Sequence, residues 1–347
     1  MTPLISAIVV APFGFGHVRQ LVRVLSLQTI RDRMEVVVVT PSASEIGAED
    51  RAALAAFGAH KMVELTPMTT LTRARAVGIE SASAPVAVLT EDHCFPEPGW
   101  AEALVRAHQG PWAAVGPVFE QPIQTELFAR AACLLQYAPW TRPAKTGEVT
   151  DLPGHNSSYK RDVLLKEYGA RLADLLAGNT ALHWDLRRRG YRLWLEPDAR
   201  VHHVFMSQPG ASLSESFYIG WGFAATRALG WSLPRRALFA AASPAIPAVR
   251  LARIIPRAFE LGWGSRLPAV LGPTVLQLVA SAVGELLGVT LGPGTAVAMG
   301  VELDTRRYRF VTPEVKALFW SEDGRPTRFE TLIAAGDRPA AATARQS

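Results

Sequence analysis

The sequence predicts an α/β protein with a C-terminal apolar helical segment, and three observations carry that reading. Short, continuous apolar runs such as "ISAIVVAP" and "MEVVVVT" are the pattern of strands buried on both faces of a parallel sheet. These runs alternate with stretches at helical spacing. Beyond about Phe217 the alternation stops, and apolar stretches edged with arginine follow.

Taken in order, "ISAIVVAP" is a first strand closed by proline, and the N-terminus lacks the basic region and cleavage site of a signal peptide. "HVRQLVRVLSLQ" places Val18, Leu21, Val22 and Leu25 at helical spacing, and "MEVVVVTPSAS" is a second strand running into a turn, which completes a βαβ unit. "HKMVELT" is a poorer strand, "LTRARAVGIESAS" is helical, and "PVAVLT" is a strand ending at Glu91. "WAEALVRAHQ" is helical and "WAAVGPVFE" strand-like. "RPAKTGEVTDLPGHNSS" is a polar loop, followed by the helix "KRDVLLKEY" and a second around "ALHWDLRRRG", stopped by Gly190. "YRLWLEPDARVHHVF" reads as a strand, a Pro-Asp turn and a short strand bearing His202 and His203. The α/β pattern ends near residue 210.

The chain of 347 residues is long enough to bury a large core, and its balance of 49% apolar to 19% charged residues is lean in charge for a soluble protein. The net charge of +5 is concentrated: from Arg227 to Arg266 seven arginines stand against one acid, Glu260. These arginines accompany apolar residues rather than aromatic stacking platforms, which argues against a nucleic-acid partner. Leu267 to Gly284 carries no charge but contains Pro268, Gly272 and Pro273. An interfacial or re-entrant segment, a true membrane span and buried helices of a soluble domain all fit it. Two cysteines, Cys94 and Cys133, make no disulfide framework and suit a reducing compartment. The expected division is 1–215 for the α/β domain, 216–310 for a membrane-associated helical region, and 311–347 for a tail whose end is disordered.

In open α/β sheets ligands gather at the carboxyl ends of strands, where "VLTEDHCFPEPGW" places Glu91, Asp92 and His93. Alternate residues of an extended chain point the same way, so Glu91 and His93 can grip one divalent ion while Asp92 turns elsewhere. An ordinary acidic turn is the other reading. "APFGFGHVRQ" has the Gly-x-Gly of a dinucleotide fold, but Arg19 stands at the third glycine's place and no acid ends the second strand.

From Ile5 to His203 the order of segments resembles the family 2 glycosyltransferases, which have a GT-A fold, that is, a Rossmann-like nucleotide-diphospho-sugar transferase domain. "AIVVAPF", "SLQT", "ARAVG", "EDHCFPEPGW", "GHNSSYKRDVL" and above all "LRRRGYRLWLEPDARVHH" lie on the family's pattern. The resemblance implies a nucleotide-sugar diphosphate held through a manganese or magnesium ion at Glu91 and His93. Asp92 would lie near the ribose or sugar, and His203 close to the diphosphate and its metal. Pro12, Thr40 and Arg75 fall at donor-binding positions, Arg75 against phosphate charge. His155 and Asn156 fall beside the sugar and acceptor. Each has a plain alternative: a core histidine for His203, a solvated helix arginine for Arg75, an ordinary loop for His155 and Asn156.

Three departures from the family pattern matter. "VVVVTPS" puts Thr40 or Ser42 where the family has a base-reading aspartate, and the metal motif is Glu-x-His rather than Asp-x-Asp. Gly178 and Asn179 stand where the family has Glu-Asp, whose aspartate deprotonates the acceptor. Asparagine cannot take that proton at neutral pH. His183, Asp185 and Asp174 are the substitutes in reach, His183 lying one helical turn from Asn179 on the same face.

The expectation is therefore an inverting, metal-dependent glycosyltransferase at the cytoplasmic face of the cell membrane, passing sugar to a lipid-linked or cell-surface glycan acceptor. The rivals are a sugar-nucleotide nucleotidyltransferase and a catalytically degenerate GT-A protein that binds nucleotide or glycan as a partner subunit.

Overall fold

The computed structural model describes residues 2–43, 46–68, 70–176, 179–321 and 325–337. Its strands are β1 (Ile5–Val10), β2 (Met34–Thr40), β3 (Ala59–Glu64), β4 (Val86–Leu89), β5 (Cys94–Pro96), β6 (Trp112–Phe119), β7 (Gly147–Val149), β8 (Ser158–Lys160) and β9 (Arg192–His203). The helices up to residue 190 are α1 (Arg19–Leu25), α2 (Ala48–Ala55), α3 (Leu71–Ser81), α4 (Trp100–Ala107), α5 (Leu127–Gln136), α6 (Arg161–Tyr168), α7 (Leu172–Leu176) and α8 (Asn179–Arg188). Then come α9 (Pro209–Arg227), α10 (Leu233–Ala242), α11 (Ile246–Glu260), α12 (Leu267–Leu291), α13 (Ala296–Thr305), α14 (Pro313–Phe319) and α15 (Arg328–Ala334).

These elements form two compact units whose borders differ from those expected at residues 215 and 310. The first is Met1–Glu120, Ala144–His203 and Ser321–Arg338; the second, among the described residues, is Gln121–Pro143 and Val204–Trp320.

The first unit is the expected α/β domain. Its nine strands make one mixed sheet in the order β3-β2-β1-β4-β8-β6-β9-β5, with β7 on β9. β1 to β4 run parallel, as do β6 and β9, while β8 lies antiparallel between β4 and β6. The carboxyl ends of β1, β2, β4, β6 and β9 therefore share one edge with the amino end of β8. β1 and β2 are almost wholly buried, as their unbroken apolar runs require. α3 starts at Thr70, whose hydroxyl accepts the Arg73 N–H (3.1 Å). It lies close enough to the sheet that a Cβ on Gly78 would stand 2.4 Å from the Ile8 Cγ2.

Two details depart from the sequence reading. The Pro-Asp turn expected within "YRLWLEPDARVHHVF" is a bulge in one twelve-residue strand, the register against β6 shifting between Pro117 and Val118. Glu196 braces the bulge by accepting the Asp198 N–H (3.2 Å). The tail is also not all tail: α15, started by a Thr327–Glu330 capping box, belongs to the sheet unit. Glu330 accepts from Gln20 (3.1 Å) and Arg23 (3.2 Å), and Phe329 packs edge-on against His202. Residues 338–347, where disorder is expected, lie outside the described residues.

The second unit is helical. α9 and α12 meet through small residues: a Cβ on Gly284 would fall 2.1 Å from the Phe217 carbonyl, and one on Gly288 2.3 Å from that of Trp221. α12 runs unbroken through the prolines of its sequence, Pro268 sitting in the first turn where its missing N–H costs nothing. By length and composition, Leu233–Glu260 and Leu267–Leu291 could each cross a membrane. Half of the second stretch is buried within the protein, against 6% of the first.

Candidate metal centre

β4 ends where the Thr90 hydroxyl donates back to the Ile8 carbonyl (2.8 Å), and the chain turns at once, the Cys94 N–H bonding to the Glu91 carbonyl (3.2 Å). β5 then pairs antiparallel with β9, Cys94 opposite His203. A tight turn and one register thus bring Glu91, His93 and His203 together, although 110 residues separate His93 from His203 in the chain. One ligand atom from each lies within 4.8 Å of the others, and all three residues are buried. Glu91 Oε2 stands 3.8 Å from the Nε2 of both His93 and His203. Two ligands sharing an ion at about 2.1 Å lie roughly 3–4 Å apart, so Glu91 stands at ligand spacing from each histidine, and the trio, within 4.8 Å overall, needs only a small inward shift to share one divalent cation. One carboxylate with two imidazoles suits manganese better than magnesium, which prefers an all-oxygen shell.

Asp92 stands behind this trio. Expected near the ribose or sugar, it has its oxygens 3.0 Å from the Nδ1 of His93 and 2.9 Å from the Nε2 of His17. Burial alone would raise its carboxyl, but hydrogen bonds from the two imidazoles, and their charges, hold it below the ordinary carboxylate value. With His93 Nδ1–H directed to Asp92, its Nε2 presents a lone pair toward Glu91, the arrangement that orients a metal-binding histidine. Strand alternation sends His202 to the opposite face of β9, where its Nε2 lies 3.2 Å from Glu97.

The residues before β8 reach the same place. The Asn156 amide donates to Glu91 Oε2 (2.9 Å), from a left-handed backbone (φ 65°) that asparagine tolerates better than most residues. His155 Nδ1 lies 3.4 Å from Glu91 Oε1. Both residues thus lie beside the Glu91 carboxylate. Pro12 follows β1 on the same edge of the sheet, and Thr40 is fully buried at the end of β2, its hydroxyl bonded to the Ser42 carbonyl (3.2 Å). Arg75, expected at phosphate, is only 7% exposed on α3, and no hydrogen bond or ion pair to it is found among the described residues.

The three expected catalytic residues lie on α8, and among the described residues no hydrogen bond or ion pair joins His183 or Asp185 to the Glu91 trio. His183 is completely buried, its Nδ1 bonded to Asp151 (2.8 Å) and its Nε2 to the Tyr159 hydroxyl (3.0 Å), so it cannot reach an acceptor. Asp185 is engaged by Arg188 and Arg189 (both 2.6 Å), and hydrogen bonds from Arg189 above all hold its carboxyl low. Asn179 opens the helix, and Gly178 lies outside the described residues.

Sequence reasoning missed His17 and Asp151. His17 stands in "GFGHVRQ", a loop weighed only as a faint nucleotide motif, although a loop after β1 must open on the same edge as one after β4. Phe13, 49% exposed, lies edge-on to it with ring centres 5.5 Å apart. Asp151 carried no local signal.

No protein-family model matches the sequence, and a search of the curated proteins returns no match. Solved structures of similar trace include the mannosyltransferase PcManGT from Pyrobaculum calidifontis in complex with GDP-Man and Mn2+. It shows 20% identity and a TM-score of 0.49 over 82% of this chain and 88% of that one. S. aureus TarS 1-349 in complex with UDP shows 14% identity and a TM-score of 0.42 over 82% and 90%. GalNAc-T7 with UDP, GalNAc and Mn2+ shows 13% identity and a TM-score of 0.43 over 58% and 44%.

Proposed function

We propose that the chain is a GT-A glycosyltransferase of the family 2 type, which moves a sugar from a nucleotide-diphosphate donor to a hydroxyl acceptor with inversion. The observation that carries this reading is the convergence of Glu91, His93 and His203 at the carboxyl edge of the sheet, in a chain whose segments follow that family's order. A manganese or magnesium ion bound there would offset the charge developing on the diphosphate leaving group.

The other roles belong to the chain itself. Asp92 fixes the ring of His93, and Asn156 fixes the carboxylate of Glu91. Arg75 has no protein counter-ion among the described residues, which leaves its guanidinium available to a phosphate. Thr40 and Pro12 border the donor at the ends of β2 and β1, and His155 borders the sugar.

We place the protein at the cytoplasmic face of a membrane, with a lipid-linked or surface-glycan acceptor. Support comes from the second unit, which exposes Leu233 (81%), Leu238 (72%) and Phe259 (61%) beside the arginine-rich stretch. Scattered apolar residues are ordinary on a protein surface, but a whole helical stretch of them joined to basic charge suits an anionic lipid interface.

The test is calorimetric titration of the purified chain with Mn2+ and a panel of nucleotide sugars, followed by assay of slow donor hydrolysis. Metal-dependent binding of one donor, abolished in Glu91→Ala and His93→Ala, is expected. Binding that ignores the metal, or no binding at all, overturns the reading. Asn179 favours a second reading, a degenerate subunit that only binds; donor binding without hydrolysis or transfer would establish it.

A further inference from the structure

We propose that Asp151 takes the proton of the acceptor hydroxyl, and that His183, sealed beneath it, is the positioning residue that aims its carboxylate. The assignment rests on the transferase reading given above. It starts from a chain of three side chains that the metal centre does not use: Tyr159 Oη lies 3.0 Å from His183 Nε2, and His183 Nδ1 lies 2.8 Å from Asp151 Oδ1.

The direction of the chain follows from its ends. Tyr159 is completely buried in β8, and burial, then the charge of Asp151, push its phenol above the ordinary value, so it keeps its proton and donates to Nε2. That assigns the tautomer: Nδ1 carries the ring proton and gives it to Asp151. The Leu152 N–H donates to the same Asp151 oxygen (3.0 Å). His183 has no exposed surface, whereas the side chain of Asp151 is 32% exposed. Of the linked groups only the carboxylate meets solvent, and it is held from behind.

Its location suits the task. Asp151 lies between β7 and the Gly154–Asn156 turn, four residues before His155, whose Nδ1 is 3.4 Å from Glu91. Four residues of chain span at most about 14 Å, which sets the upper limit on the separation of Asp151 from His155 beside the Glu91 carboxylate. Asp185, the carboxylate offered by the sequence, is engaged by two arginines. α8 opens at Asn179, one helical turn before His183, so Asp151 is a carboxylate delivered from a loop to the start of that helix.

The step balances without any further reactant. As the acceptor oxygen forms its bond to the anomeric carbon, the bond from that carbon to the donor's β-phosphate oxygen breaks. The electron pair leaves with the nucleoside diphosphate, and the hydroxyl proton passes to Asp151.

The experiment uses the full chain with Mn2+ and whichever nucleotide sugar binds, water serving as acceptor. Asp151→Asn should lower kcat by about 10²–10⁴-fold while metal affinity, donor KM and melting temperature hold. Asp151→Glu should recover part of the loss. His183→Phe should lower kcat with donor KM unchanged, and His183→Asn, whose amide N–H stands where the Nδ1–H does, should restore part of it. Tyr159→Phe is the milder companion should His183→Phe fail to fold, and it too should lower kcat. Donor binding with undiminished kcat in Asp151→Asn overturns this assignment alone. No donor binding by the wild-type chain overturns the transferase reading, and this assignment with it.

Discussion

His93 has a partner on each side, and the two partners do different work. Glu91 and His203 are the groups it would share an ion with, and Asp92 is the group that turns its ring. Asp92→Ala is therefore expected to weaken Mn2+ binding by about 10–100-fold without abolishing it, whereas Glu91→Ala abolishes it. Titration of both variants separates the roles, and equal losses would show that Asp92 is itself a ligand. The sequence made Glu91 and His93 legible because strand alternation links residues two apart. His203 and His155 came from the family resemblance. Asp92's true partners did not show, because His17 lies 75 residues away and no local rule joins them. His183 shows the limit most clearly: spacing put it one turn after Asn179 on α8, but spacing does not report that a histidine is wholly buried.

At the scale of elements, Glu35 ties three segments of the sheet unit. Buried on β2, it accepts from Ser6 Oγ on β1 (2.5 Å) and the Ser83 N–H ahead of β4 (2.7 Å), with Lys61 of β3 at 3.3 Å. Burial opposes its ionisation, but these donors prevail and its carboxyl lies below the ordinary value of 4.5. A lowered folded value gives stability that is present in full above the unfolded value and fades as pH falls through the folded one. Glu35→Gln should thus cost about 1–3 kcal/mol near neutrality, and the gap from wild type should shrink below about pH 4. Urea unfolding at the two pH values checks this; a constant gap would mean that lost packing, not lost charge, sets the cost. In the helical unit, Gly284→Val would drive a side chain into the Phe217 carbonyl, 2.1 Å from where its Cβ must lie. A loss of about 1–3 kcal/mol or more is expected, against near neutrality at Gly272, where a Cβ meets nothing within 4 Å. Strands and helices were legible here because period and caps are local. The bulge in β9 and the length of α12 were not, because neighbouring elements supply the contacts that override a Pro-Asp pair or an internal proline.

At the scale of the whole molecule, the helical unit's bare stretch makes a prediction independent of catalysis. Vesicles containing phosphatidylglycerol should float the wild-type chain, and Leu238→Glu with Phe259→Glu should reduce that by about tenfold at unchanged Mn2+ affinity. Equal flotation with neutral vesicles would show that the arginines contribute nothing.

By itself the sequence determined the α/β class, the apolar helical segment, and the edge of the sheet where chemistry collects, because burial periodicity and strand direction are written in consecutive residues. Only the tertiary structure decided that α15 returns to the sheet unit, that His17 and Asp92 brace His93, and that His183 points to Asp151 rather than to an acceptor. Each of these is a pairing of residues far apart in the chain. Such pairings follow from strand register and helix docking, which the sum of all contacts fixes and no short stretch of sequence contains.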